Sequence, residues 1–107
     1  MRLSVLAIAL GLLAPVQAHA QVTFYVTGAS LLTACEKDSL FCIGYVTGVI
    51  DGLTWGQPTT LCIPDEVKNT QLVRVVKKYL QDNPGRLHLN ATVQIADAVQ
   101  GTWPCQK

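Results

Sequence analysis

Few side chains in this sequence could carry chemistry. Cysteines stand at 35, 42, 62 and 105, and His88 is the only histidine after residue 20. A zinc site would need Cys-x-x-Cys spacing or a cysteine–histidine cluster, and neither occurs. Asp65 and Glu66 are adjacent carboxylates in a turn, read as charges favoured near a helix start by the macrodipole. Asp51 with Thr47 and Thr54 falls at helical spacing and reads as a solvent-facing stripe. The glycines at 44, 48, 52 and 56 lack the strand and lysine of a phosphate loop. Asn90-Ala91-Thr92 matches a glycosylation sequon, a three-residue pattern of low specificity. Trp55 and Trp103 read as core or rim residues, or as anchors for a partner. The expectation is therefore no catalytic residue, no metal and no cofactor. An even number of cysteines in a small chain instead reads as two disulfides formed in an oxidising compartment.

That compartment fits the start of the chain. Residues 1–20, "MRLSVLAIALGLLAPVQAHA", place basic Arg2 before an apolar run too short to span a bilayer, then Pro15 and an Ala-His-Ala ending. This is the pattern of a secretory signal peptide cut after Ala20. Fold reasoning then starts at Gln21, giving one domain over residues 21–107 and no membrane span after cleavage. The formal net charge is +1, and without Arg2 acidic and basic residues balance. A chain with neither net charge nor a basic run is a poor partner for nucleic acid or an anionic membrane surface.

Four elements must position these residues. "GASLLTAC" sets Leu31, Leu32 and Cys35 at helical spacing, with Thr27 as cap. Ser39 can cap a second helix running to about Gly56. The third is the clearest: Leu72, Val75, Val76, Tyr79 and Leu80 recur on one face, and Asn83-Pro84-Gly85 stops it. A fourth is expected from near Arg86, with Leu87, Ala91, Ile95, Ala98 and Val99 inward, ending at Gly101 and Pro104. Only "QVTFYV" alternates as a strand would. The fold class expected is all-α, a small antiparallel bundle of about four helices. Its hairpins place Cys35 beside Cys42 and Cys62 beside Cys105, so those are the expected bridges.

The second helix poses a problem. Each interior glycine costs about 1 kcal/mol relative to alanine, and this helix carries four. A membrane span is excluded by Asp51 at mid-length and by the shortness of the run. The glycines are expected to mark close helix approach inside the bundle, with a homodimer seam as the alternative.

Taken in order, "TGASLLTAC", "FCIGYVTGVIDG", "LCIPDEV", "QLVRVVKKYLQDNPGRLH" and "WPC" resemble the Tai-type immunity proteins of type VI secretion amidase effectors, across nearly the whole chain from residue 21. Lys68 departs from the threonine-like cap expected there, leaving Asn69 or Thr70 as substitute caps. The resemblance implies a periplasmic, disulfide-bonded, non-enzymatic helical protein, often a homodimer. Such a protein binds and blocks a cognate peptidoglycan amidase. It further implies that a protruding turn meets the enzyme, here Asp82, Asn83, Pro84, Gly85 and Arg86. The alternative class is an acid-stress chaperone of the periplasm, which small size, disulfides and helical content also suit.

Overall fold

The computed structural model describes Gly11, residues 25–56 and residues 60–106. The expected leader (Gly11 apart), residues 21–24 of the alternating stretch and most of the loop near 57–60 lie outside the described residues. Four α-helices follow in order: α1 (Gly28–Glu36), α2 (Leu40–Gly56), α3 (Asn69–Asp82) and α4 (Ala91–Thr102). A 3-10 turn, Pro84–Arg86, sits between the last two. Among the described residues there is no strand, only an isolated antiparallel bridge between Thr27 and Asn90. The all-α expectation is met.

α3 packs against each of the other three helices. Its buried row, Leu72, Val76 and Leu80, meets Leu31 and Cys35 of α1, Cys42, Val46 and Ile50 of α2, and Ala91, Ile95, Ala98 and Val99 of α4 in one hydrophobic core. The caps are local. Thr27 Oγ1 accepts from the Ser30 N–H while Ser30 Oγ accepts from the Thr27 N–H, a reciprocal box at the start of α1. Ser39 Oγ accepts from the Cys42 N–H at the start of α2. Lys68, not Asn69 or Thr70, occupies the cap position of α3. A lysine has no acceptor to offer, and Gln71 Oε1 compensates by accepting from the Lys68 N–H at 2.9 Å. Asp65 and Glu66 lie in the turn before this cap, outside the first turn of α3.

Both disulfides form as expected, Cys35–Cys42 and Cys62–Cys105, with no free cysteine among the described residues. Two expectations are corrected. α4 starts at Ala91 rather than near Arg86, because Asn90 Oδ1 accepts from the Thr92 N–H and so fixes the first turn there. The glycines of α2 are not close-approach positions in the bundle. A Cβ built on Gly44, Gly48, Gly52 or Gly56 meets nothing within 4 Å, and all four residues are exposed. The helix turns its β-branched side toward α3 and its glycine side outward.

The one tight glycine is Gly28. A Cβ there would run into the amide of Gln94, a fully buried side chain whose Nε2 donates to the carbonyls of Leu89 and Asn90. Gly28→Ala is therefore expected to cost about 1–3 kcal/mol through overpacking. Gly44→Ala, on an open helix surface, should gain roughly 0.5–1 kcal/mol. Urea unfolding of dilute protein checks both, and equal effects at the two positions would refute the difference in packing. The bridges differ too. Their sequence separations of 7 and 43 imply loop-closure stabilisations of about 2 and about 4 kcal/mol. Replacing Cys62 and Cys105 by alanine should accordingly lower the urea midpoint further than loop closure alone predicts for the Cys35 and Cys42 pair.

Candidate functional site

The connection from α3 to α4 is fastened to the bundle from three sides. Asn83 Nδ2 donates to the Tyr79 carbonyl at 2.8 Å, and the Asn83 N–H donates to the Leu80 carbonyl, so the end of α3 is closed locally. Pro84 begins the 3-10 turn, and the N–H groups of Arg86 and Leu87 donate to the carbonyls of Asn83 and Pro84. Proline suits this position because its ring fixes φ where a helical turn begins.

Arg86 points back into the bundle. Its guanidinium donates to Tyr79 Oη at 2.7 Å and to Asp97 Oδ2 at 2.9 Å, and its charge lies 6.0 Å from the centre of the Tyr79 ring. Three elements are thereby tied together: α3 through Tyr79, the turn through Arg86, and α4 through Asp97.

The third fastening is made of backbone. The Gly28 N–H donates to the Leu89 carbonyl and the Ala29 N–H to the Leu87 carbonyl, at 2.9 and 2.8 Å. These are the first donors of α1, which a helix leaves unsatisfied by itself. The Ala91 N–H donates in return to the Val26 carbonyl. Gln94 adds its amide to the Leu89 carbonyl from below.

Along this stretch Asp82, Pro84, Gly85, His88 and Leu89 are exposed, while Asn83 and Arg86 are half-buried. Of the five residues expected to form the partner-binding turn, three face water and two serve the base. Lys78 reaches Asp82 at 2.8 Å across one helical turn, and that hydrogen bond raises the lysine pKa above its ordinary value. Both side chains are well exposed, so the pair adds little stability. A groove of about 390 Å³ between α3 and α4 is lined by Val75, Lys78, Tyr79, Asp82 and Asp97 and reaches the base of the turn. A smaller cleft of about 210 Å³ lies beside the Cys35–Cys42 bridge, with Asp38 and Arg74 at its edge.

No group of three or more histidine, cysteine, aspartate or glutamate residues able to hold a metal exists among the described residues. No helix there is long and apolar enough to cross a membrane. His88 is exposed, on the connection before α4. Asp51 is exposed too, and the hydroxyls of Thr47 and Thr54 donate to the carbonyls of Ile43 and Ile50 one turn back. Tyr79, Asp97, Gly28 and Gln94 are the supports that sequence reasoning missed.

Four packed helices, two bridges and a braced turn define a structural class, a small disulfide-bonded helical domain. The sequence says which. Residues 27–105 match the Rap1a immunity proteins, a type VI secretion immunity family, and the chain belongs to that family. No curated protein and no solved structure matches it.

Arg86→Ala should destabilise the fold by about 1 kcal/mol, the scale of a partly exposed, charge-assisted contact. In a double-mutant cycle with Asp97→Ala the two changes should be non-additive by roughly 0.5 kcal/mol or more. Additive losses would show that the guanidinium does not brace the turn.

Proposed function

We propose that this protein is a periplasmic immunity protein that binds and inhibits a peptidoglycan amidase delivered by type VI secretion. It acts after removal of residues 1–20 as a non-enzymatic domain over residues 21–107, and it works as a homodimer. Membership of the Rap1a family supports the immunity role. The amidase as target rests on the sequence resemblance described above.

The observation that carries the binding mode is the turn itself. Pro84 and Gly85 stand exposed on a base held by the Leu87 and Leu89 carbonyls and by Arg86. A segment already fixed in shape loses little conformational entropy on docking, so more of the contact energy appears as affinity. Inserted into the substrate cleft of an amidase, the turn would block access without any chemistry of its own. Asp82, Asn83, Pro84, Gly85 and Arg86 are the residues assigned to this contact, Asn83 and Arg86 by holding its shape.

Gly85 offers a clean test, because a side chain built there meets nothing in the isolated protein. Gly85→Arg should leave the melting temperature unchanged and weaken capture of the cognate amidase at least about tenfold, near 1.4 kcal/mol. Calorimetric titration and a cell-wall hydrolysis assay read the two effects. Full inhibition by this variant would remove the turn from the contact, and failure to inhibit any amidase encoded beside the gene would remove the target.

A second reading, an acid-stress chaperone, draws on one observation: Leu40, Phe41 and Trp55 are exposed apolar side chains on α2. It expects suppression of client aggregation at low pH, an activity that a dedicated immunity protein lacks.

A further inference from the structure

The groove between α3 and α4 and the cleft beside the Cys35–Cys42 bridge differ in how their charges are used. In the groove every lining charge is already spent, Lys78 on Asp82 and Asp97 on Arg86. The cleft has one charge of each sign at its edge, Asp38 and Arg74, and both are exposed. They do not pair with each other, and among the described residues neither side chain has another partner.

The backbone under each charge is fixed. Asp38 lies in the loop that the bridge closes, with φ at 50°, a left-handed conformation that aspartate tolerates better than most residues. The Asp38 N–H donates to the Cys35 carbonyl and the Ser39 N–H to the Ala34 carbonyl, which pins this loop to the end of α1. Arg74 stands on α3, and Thr70 lies one turn before it on the same side of the helix. Between the two edges the floor is apolar, made of the buried bridge with Ile43 and Val73 half-buried beside it.

We infer that this cleft is a binding site for a small zwitterion, a dipeptide of small residues, with its ammonium on Asp38 and its carboxylate on Arg74 and the Thr70 hydroxyl. Charge complementarity selects the class, because a singly charged ligand leaves one edge of the cleft unanswered. A guanidinium offers a carboxylate two parallel donors, and an ammonium suits the acceptors of Asp38. Separation selects the length. Asp38 and Arg74 do not touch, and a dipeptide carries its charges further apart than a single amino acid does. Volume sets the upper limit. About 210 Å³ is room for about seven waters, below the ~300–1,000 Å³ of pockets for larger ligands. Water screens contacts to exposed charges, so a ligand of about eleven non-hydrogen atoms is expected to bind in roughly the millimolar range. The cleft runs along the first half of α3, whereas the turn follows its last residue. The site is therefore separate from the turn and does not depend on which protein the turn meets.

Titration of the oxidised protein with alanylalanine to tens of millimolar, followed by amide chemical shifts, tests the site. Saturable shifts should appear at residues 38–43 and 70–74 and fit one dissociation constant. Acetylating the amino end, or amidating the carboxyl end, should each weaken binding about fivefold, the upper range for an exposed charge pair. Asp38→Asn, which tolerates the same backbone conformation, should weaken the free dipeptide by that factor and leave the acetylated one unaffected. Arg74→Gln should likewise weaken the free dipeptide and spare the amidated one. The blocked dipeptides need no variant, so the test stands should either substitution disturb folding. Titrating the L,L and D,D forms separates two sources, peptides from protein breakdown and peptides from cell-wall stems; saturable binding of either supports the site. Shifts that never saturate, saturation at other residues, or equal binding of free and blocked dipeptides overturns it.

Discussion

Two backbone carbonyls, those of Leu87 and Leu89, set the geometry on which the rest of the molecule depends. They face the start of α1 and accept its first two N–H groups. Unpaired donors buried at a helix end are costly, so the segment leading into α4 cannot move off α1 without leaving both partners unsatisfied. Gln94 enforces the contact from the core side, and Gly28 is the small residue that lets it come so near. The first turn of α1, the base of the projecting turn and the start of α4 are consequently one mechanical unit, although about sixty residues of chain separate their ends.

That unit explains how so small a domain holds this turn in place. Domains of this size bury a limited fraction of their surface, and the buried side chains here form a single cluster centred on α3. The cluster fixes the helices; it does not reach the turn at Pro84. Rigidity there comes instead from polar links back to the bundle, through Asn83, Arg86 and the two carbonyls. Polar links of this kind are directional, so they define one shape where apolar packing would tolerate several.

What was legible in the sequence follows from where the information resides. α3 could be read directly because its apolar row is one-sided, and both bridges followed from the order of the helices. The glycine row of α2 was misassigned because a helix apolar on every side does not reveal which side its neighbours take. Burial selected the side carrying Val46 and Ile50, and the glycines fell outward. The start of α4 was placed too early because Leu87 fits its periodicity, whereas Asn90 supplies the cap and the preceding carbonyls serve α1 instead. The clamp itself was invisible. Backbone hydrogen bonds leave no residue signature, and Arg86, Tyr79 and Asp97 share no recognisable spacing.

The placement of Cys62 and Cys105 has a temporal consequence. The loop bounded by Cys35 and Cys42 can be sealed as soon as a short stretch of chain has emerged, for both thiols belong to neighbouring turns. Its counterpart waits for the thiol at 105, because that thiol lies 43 residues beyond its partner. Between those two thiols the polypeptide therefore has no covalent fastening of its own until residue 105 has been made. An oxidant acting before then can set only the first stitch.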